Sequence, residues 1–314
     1  MSFPLRVTEY YRRLADGPEG DAIRRQFDPS AEEACISAWE LGDPLGEDRW
    51  AVTPRLVHRY PDRVLLLVTD RCFIHCRHCL RRHFTGTENR HISDAELEAA
   101  AAYVDTHPDV REVIISGGDA LMLSTPRLES VIRRLRRERA DIILRLATRA
   151  PAVAPARIDV GLARVLGDAQ PAWGVAQFNH PAELTAEATA ALQLLSRHAV
   201  PLVNQTVLLA GVNDRVDTLE RLFRGLIAQG VKPYYLFQGD LARGTAHFRV
   251  ALDRGVRLVT ELRRRLSGLA MPTYAVDLPG GGGKIPLTES YFEAEEEDAY
   301  VFRSLDGAIY RYPK

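Results

Sequence analysis

From residue 63 onward, apolar, often β-branched runs alternate with stretches in which apolar positions recur at helical spacing. The runs predict strands over 64–70, 111–117, 141–148, 173–178, 202–209 and 233–238. The stretches between them predict helices over about 93–106, 126–139, 155–167, 184–198, 216–229 and 251–267. Several strands are apolar almost throughout, as expected when both faces of a sheet are covered. Strand–helix units in series indicate α/β architecture with a parallel sheet, either an open six-unit partial barrel or a doubly wound sheet. Both place chemistry at the carboxyl ends of the strands.

The flanks follow other patterns. Residues 1–57 predict an arm of short helices, over 5–14 and 30–41, followed by a turn-rich stretch over 42–49. Beyond the last helix, 279–284 is glycine-rich, and the acidic run 293–298 predicts a solvated turn. Apolar residues flanking Asp306 and Gly307 predict a β-hairpin. The chain thus divides into an arm (1–57), a barrel (58–270) and a C-terminal loop with hairpin (271–314).

Composition narrows the functional classes. A hydrophobic content of 46% over 314 residues supports a large core. A net charge of -1 gives no electrostatic reason to expect nucleic acid or an acidic membrane surface. No apolar run reaches the roughly 18 residues of a membrane helix, and the first residues lack a signal-peptide core, so a cytoplasmic protein is expected. Three of the four cysteines cluster in one stretch; the fourth, Cys35, falls in a helix-like segment and is expected to be buried. The 41 basic residues include only three lysines, Lys232, Lys284 and Lys314.

Candidate chemistry starts where the first strand run stops, at Cys72, Cys76 and Cys79 in CxxxCxxC spacing. Three thiolates on a short loop can hold three corners of a [4Fe-4S] cluster and leave one iron open. Structural zinc, with His75 or His78 as fourth ligand, is the competing reading. Ser116, Gly117, Gly118 and Asp119 end the second strand, where glycines permit close backbone approach to a ligand, or simply a turn. Four glycines, 280–283, precede Lys284. A lysine there suits covalent anchorage of pyridoxal phosphate (PLP), or else ends a flexible tether. The other lysines are poor anchors: Lys314 is terminal, and Lys232 lies at the entrance of a strand, away from the active end.

Further motifs sharpen the picture: His58-Arg-Tyr-Pro-Asp-Arg63, Cys76-Arg-His-Cys79-Leu-Arg-Arg, Ser116-Gly-Gly-Asp-Ala-Leu, Phe178-Asn-His-Pro181, Asn204-Gln-Thr-Val-Leu-Leu, Gly211-Val-Asn-Asp214, Pro233-Tyr-Tyr, His247-Phe-Arg and Pro279-Gly-Gly-Gly-Gly-Lys284. Together they resemble the lysine 2,3-aminomutase family, radical S-adenosylmethionine (SAM) enzymes that also use PLP. The resemblance runs from about residue 40 to the end.

The resemblance implies a radical-SAM partial (βα)6 barrel with an N-terminal helical arm, a PLP-lysine loop and a β-hairpin. It implies that Cys72, Cys76 and Cys79 bind the [4Fe-4S] cluster and that Lys284 anchors PLP. Arg59, Tyr60 and Arg63 would seat PLP, with arginine forks suited to its phosphate. Ser116, Gly117, Gly118, Asp119, His180 and Gln205 would lie on the SAM side. Arg81 would hold the substrate carboxylate, and Asp240 and Asp277 the distal ammonium. Gln177 and Phe237 depart from the familiar members and could tune substrate choice, and no zinc is expected. The implied activity moves the α-amino group of a cationic amino acid, with L-lysine favoured, to the β-carbon. Arginine as substrate, the branch that supplies β-lysine for elongation-factor modification, and a radical-SAM enzyme without PLP are the alternatives. An electron donor such as flavodoxin or ferredoxin and a homo-oligomer, dimer or tetramer, complete the implied partners.

Overall fold

The computed structural model describes residues 3–314. Its centre is a ten-stranded sheet whose spatial order repeats the chain order, β1 to β10. Seven strands are parallel: β3 (Arg63–Thr69), β4 (Glu112–Gly117), β5 (Ile143–Thr148), β6 (Ala172–Ala176), β7 (Leu202–Leu208), β8 (Val231–Gln238) and β9 (Thr273–Leu278). Antiparallel strands extend both edges, β1 (Ala51–Thr53) with β2 (Leu56–Tyr60) on one side and β10 (Gly283–Pro286) on the other. The sheet is therefore an open partial barrel. Strand β2 crosses the expected 57/58 boundary, and β9 and β10 continue the barrel sheet into the C-terminal part.

Helices cover the outer face: α3 (Asp94–Thr106), α4 (Thr125–Arg136), α6 (Val160–Asp168), α7 (Ala186–Arg197), α8 (Val216–Ala228) and α9 (Leu252–Arg265), with the single turn α5 (Ala150–Val153) after β5. Their starts are written locally. Ser93 and Glu96 close a capping box on α3, and Ser124, Asp159 and Thr185 accept amide hydrogens at the starts of α4, α6 and α7. In α8, Leu219, Leu222, Phe223 and Leu226 form one buried stripe against the sheet.

Three expectations need correction. The helix expected over 30–41 is one 3-10 turn, Ala31–Ala34, capped by Ser30 and Glu33. After it the chain leaves the helical path and turns at residues 38–39, the Glu40 amide donating to the Ser37 carbonyl at 3.1 Å, before the Leu41 amide donates to the Leu241 carbonyl at 2.7 Å. Tertiary pairing here overrides local helix propensity, and Cys35 is exposed rather than buried. Second, β9 is a seventh parallel strand that the apolar pattern did not reveal, since Asp277 interrupts it. Third, half of the acidic run is itself a strand. A separate three-stranded sheet joins β11 (Phe292–Glu295) to the expected hairpin of β12 (Ala299–Arg303) and β13 (Ile309–Pro313).

The arm is part of the same core. It carries α1 (Glu9–Leu14), shorter than expected, and α2 (Gly20–Arg24), which was not expected. Tyr11, Ile23 and Phe27 are almost wholly excluded from solvent within the barrel's main apolar cluster.

Candidate active site

A cavity of about 500 Å³ opens at the carboxyl ends of the strands. The loop after β3 supplies one wall. Its turn closes with the Cys79 amide donating to the Cys76 carbonyl at 2.9 Å. The arm fixes the loop from behind: the His75 amide donates to the Arg6 carbonyl, and the Arg77 amide to the Gln26 carbonyl, both at 2.9 Å. Arg77 is buried, its guanidinium on Glu33 and on the Phe3 carbonyl. These contacts leave Cys72, Cys76 and Cys79 all lining the cavity.

The chemistry of this donor set fits an iron–sulfur cluster. Burial and the neighbouring Cys76 push the Cys79 thiol up to about 11, and burial and Cys79 raise Cys72 well above its usual value. Thiols that oppose one another's ionisation need a strongly cationic centre to become thiolates. Three ligands on one short loop match a cluster with one open iron better than a closed tetrahedral zinc.

Behind the cysteines, β4 ends in Gly117 and Gly118, and here glycine is required. Gly117 has φ +125°, and a Cβ on it would lie 2.1 Å from the Thr69 carbonyl oxygen. One on Gly118 would lie 2.2 Å from that of Arg71. The close approach is thus between backbones, seating the cysteine loop against the end of β4. Asp119 serves the same frame: its carboxylate accepts from the Leu121 and Arg149 amides and the Thr148 hydroxyl at 2.7–3.0 Å. Ser116 through Asp119 all reach the cavity lining.

Gln205, on β7, lines the cavity as expected. His180 does not. It caps the turn Pro181–Glu183, its Nδ1 accepting from the Ala182 amide at 3.2 Å and its Nε2 lying 3.8 Å from Glu19. Gln177, three residues earlier and directly after β6, occupies the cavity wall instead.

The opposite corner holds the lysine. Strands β9 and β10 pair so that Lys284 faces Asp277, with Nζ 2.9 Å from Oδ2. The ammonium also sits 5.7 Å from the Tyr60 ring centre and 5.4 Å from that of Phe237. Arg59 approaches Asp277 at 3.6 Å, but among the described residues its buried Nε and Nη2 make no hydrogen bond, and the Tyr60 hydroxyl and Asp277 Oδ1 are likewise unpartnered. Arg63 stacks 3.9 Å from the Tyr60 ring centre and donates to Asp62. Buried donors without acceptors are costly, and here they surround a lysine and invite an anion. Gly280, Gly281 and Gly283 answer a backbone demand, all having positive φ; Gly281 answers a packing demand as well, since a Cβ on it would lie 2.6 Å from Trp50 Nε1.

Between the two corners lie Arg81 and Asp240. Arg81 donates from Nε and Nη2 to both oxygens of Glu47 at 2.6–3.0 Å, leaving Nη1 without a protein acceptor among the described residues. Asp240 is half-buried, and burial followed by the charge of Asp277 pushes its carboxyl up to about 7. Sequence reasoning missed two residues of this region, Glu47 in a turn-rich stretch and Arg149 just after β5; neither carries a motif or periodic signal.

Similarity to known proteins bears on the family of the chain. The Radical SAM superfamily matches residues 66–222, and Lysine-2,3-aminomutase matches residues 259–314. The chain is 42% identical to the L-lysine 2,3-aminomutase of Clostridium subterminale over 312 residues, covering 99% of this chain and 75% of that protein. It is 40% identical to that of Bacillus subtilis, covering 100% of this chain and 67% of the relative. The glutamate 2,3-aminomutase of Clostridioides difficile is 35% identical, covering 98% and 73%. Among solved structures, native anSMEcpe with bound AdoMet has a TM-score of 0.51 at 12% identity over 64% of this chain and 58% of that one, a likeness of fold alone. No helix among the described residues is long and apolar enough to cross a membrane. The chain belongs to the lysine 2,3-aminomutase family, isomerases of the radical SAM superfamily that work with a [4Fe-4S] cluster and SAM.

Proposed function

We propose that this chain is a PLP-dependent 2,3-aminomutase acting on L-lysine to give β-lysine. The observation that carries the reading is the corner built from Lys284, Asp277, Arg59 and Tyr60. There, among the described residues, the cavity's one lysine is held beside buried donors that lack acceptors. Arg59, with Tyr60 and Arg63, would hold the cofactor phosphate, and Lys284 its aldehyde carbon. Bound there, PLP would supply a conjugated π-system through which the amino nitrogen can shift beside a carbon radical, and the cluster with SAM would supply the hydrogen-abstracting radical.

The chain's own residues then bind, orient and shield. Cys72, Cys76 and Cys79, which would hold the cluster, and Lys284 line the same cavity, so a small amino acid bound there would face both. Arg81, pinned by Glu47, retains one free donor nitrogen for a substrate carboxylate. Neutralising the Lys284 ammonium would take from Asp277 its 2.9 Å partner and from Asp240 one of the cations that favour its ionised form. A substrate ammonium restores the balance, whereas an acidic side chain worsens it. Phe237 beneath the lysine and Gln177 on the wall narrow the space and exclude water. Reduction of the cluster takes one electron from a flavodoxin- or ferredoxin-type donor.

The test is an anaerobic assay of reconstituted protein with PLP, SAM and dithionite, offering lysine, arginine and glutamate separately. β-Lysine from lysine alone is the expected result. A β-amino acid from arginine or glutamate alone overturns the substrate assignment. Lys284→Ala should retain SAM cleavage but form no β-lysine and lose the visible absorption of covalently bound PLP; full turnover by that variant would remove Lys284 from its role.

A further inference from the structure

Arg149 follows β5 and is buried, although an uncompensated guanidinium is among the costliest groups to bury. Its surroundings explain the placement. Nη1 donates to Cys76 Sγ at 2.8 Å. Nη2 donates to Glu183 Oε1 at 2.7 Å, to the Tyr11 hydroxyl at 3.0 Å and to Gln26. Glu183 is wholly buried and also accepts from the Tyr11 hydroxyl at 2.5 Å and the Asn179 amide at 2.6 Å. One permanent cation therefore joins a cysteine sulfur of the cavity to a buried carboxylate and to two residues of the N-terminal arm. Its main chain is fixed too, its amide donating to Asp119 at 2.8 Å.

The geometry points to Arg149 as the residue that sets the electron affinity of the iron–sulfur cluster, through its hydrogen bond to the Cys76 sulfur, with Glu183 as the opposing charge. The inference rests on Cys76 being a cluster ligand. Reduction adds one electron, from a low-potential donor protein, to an already anionic cluster–thiolate assembly. A cation donating to a ligating sulfur favours the reduced form, and a low-dielectric setting strengthens the effect. Glu183 acts against it, because its negative charge disfavours reduction. Arg149 is in this sense a positioning residue. It borders the cavity and acts on the cluster through the Cys76 sulfur.

The experiment is a redox titration followed by electron paramagnetic resonance, on full-length protein with reconstituted cluster and no substrate. Arg149→Gln should weaken reduction about tenfold, a fall of about 59 mV for a one-electron couple. Glu183→Gln should move the potential the opposite way. A purely structural role predicts no such opposed signs. Unchanged potentials in both variants at full iron content overturn the inference. Should Arg149→Gln fail to fold or to load, Glu183→Gln decides alone: a raised potential supports the inference, and an unchanged or lowered one overturns it. A Cys76→Ala protein that keeps a full cluster would instead overturn the ligand assignment itself, leaving the PLP corner and its substrate reading untouched.

Discussion

Asp240 shows how one carboxyl can couple substrate affinity to pH. Its folded-state value lies near 7, above the ordinary 3.8, through burial and then the charge of Asp277. Stability owed to its protonated form is complete below the ordinary value and is lost as pH rises through about 7. Binding a substrate ammonium requires the opposite, ionised form. The KM for lysine should therefore fall as pH rises through about 7, while the substrate-free protein loses stability over the same rise. Asp240→Asn should flatten both profiles, and a wild-type KM constant across that range would detach Asp240 from the ammonium. At this scale the sequence was legible where residue types were scarce: three clustered cysteines, and one lysine behind four glycines. Glu47 and Arg149 were illegible because their meaning lies in partners far along the chain, Arg81 and Cys76. His180 misled because a histidine in a matching motif proved to be a turn cap, while Gln177 took the wall.

The strand pair β9–β10 carries the lysine, and its placement depends on the turn between. Gly281 sits at φ +90° with no room for a Cβ beside Trp50. Gly281→Ala should cost about 1–3 kcal/mol and shift Lys284 away from Asp277. Lower thermal stability together with reduced covalent PLP binding is the expected outcome; a variant unchanged in both would show the turn to be adaptable. Six of the seven parallel strands announced themselves as apolar runs. The seventh did not, because it presents Asp277 to the cavity, and a functional carboxylate breaks the apolar signature of a covered strand. The expected helix over 30–41 failed for a complementary reason. A good capping box starts a turn, but a second turn at residues 38–39 and the pairing of Leu41 with Leu241 take the chain off the helical path.

At the scale of the molecule, the N-terminal arm belongs to the barrel's core and to its cluster wall at once. Phe27 is 1% exposed within the main apolar cluster, and the Gln26 carbonyl beside it receives the Arg77 amide. Phe27→Ala should therefore cost about 3–5 kcal/mol and also lower the iron retained after reconstitution. Urea unfolding and iron analysis on one preparation measure both, and normal iron retention despite the stability loss would separate arm packing from cluster holding. The open barrel itself is bridged at its gap by the same N-terminal part of the chain, where the Gly280 amide donates to the Pro44 carbonyl at 3.1 Å. Because the sheet's spatial order is also its order in the chain, each strand leaving the ribosome finds its neighbour already made. The cysteine loop is thus synthesised early, onto a surface still bare on one side. The lysine arrives late, on a border strand, and its turn docks on residues made long before. The chamber is therefore closed by a contact between segments far apart in the chain, the turn before Lys284 and the stretch around Pro44.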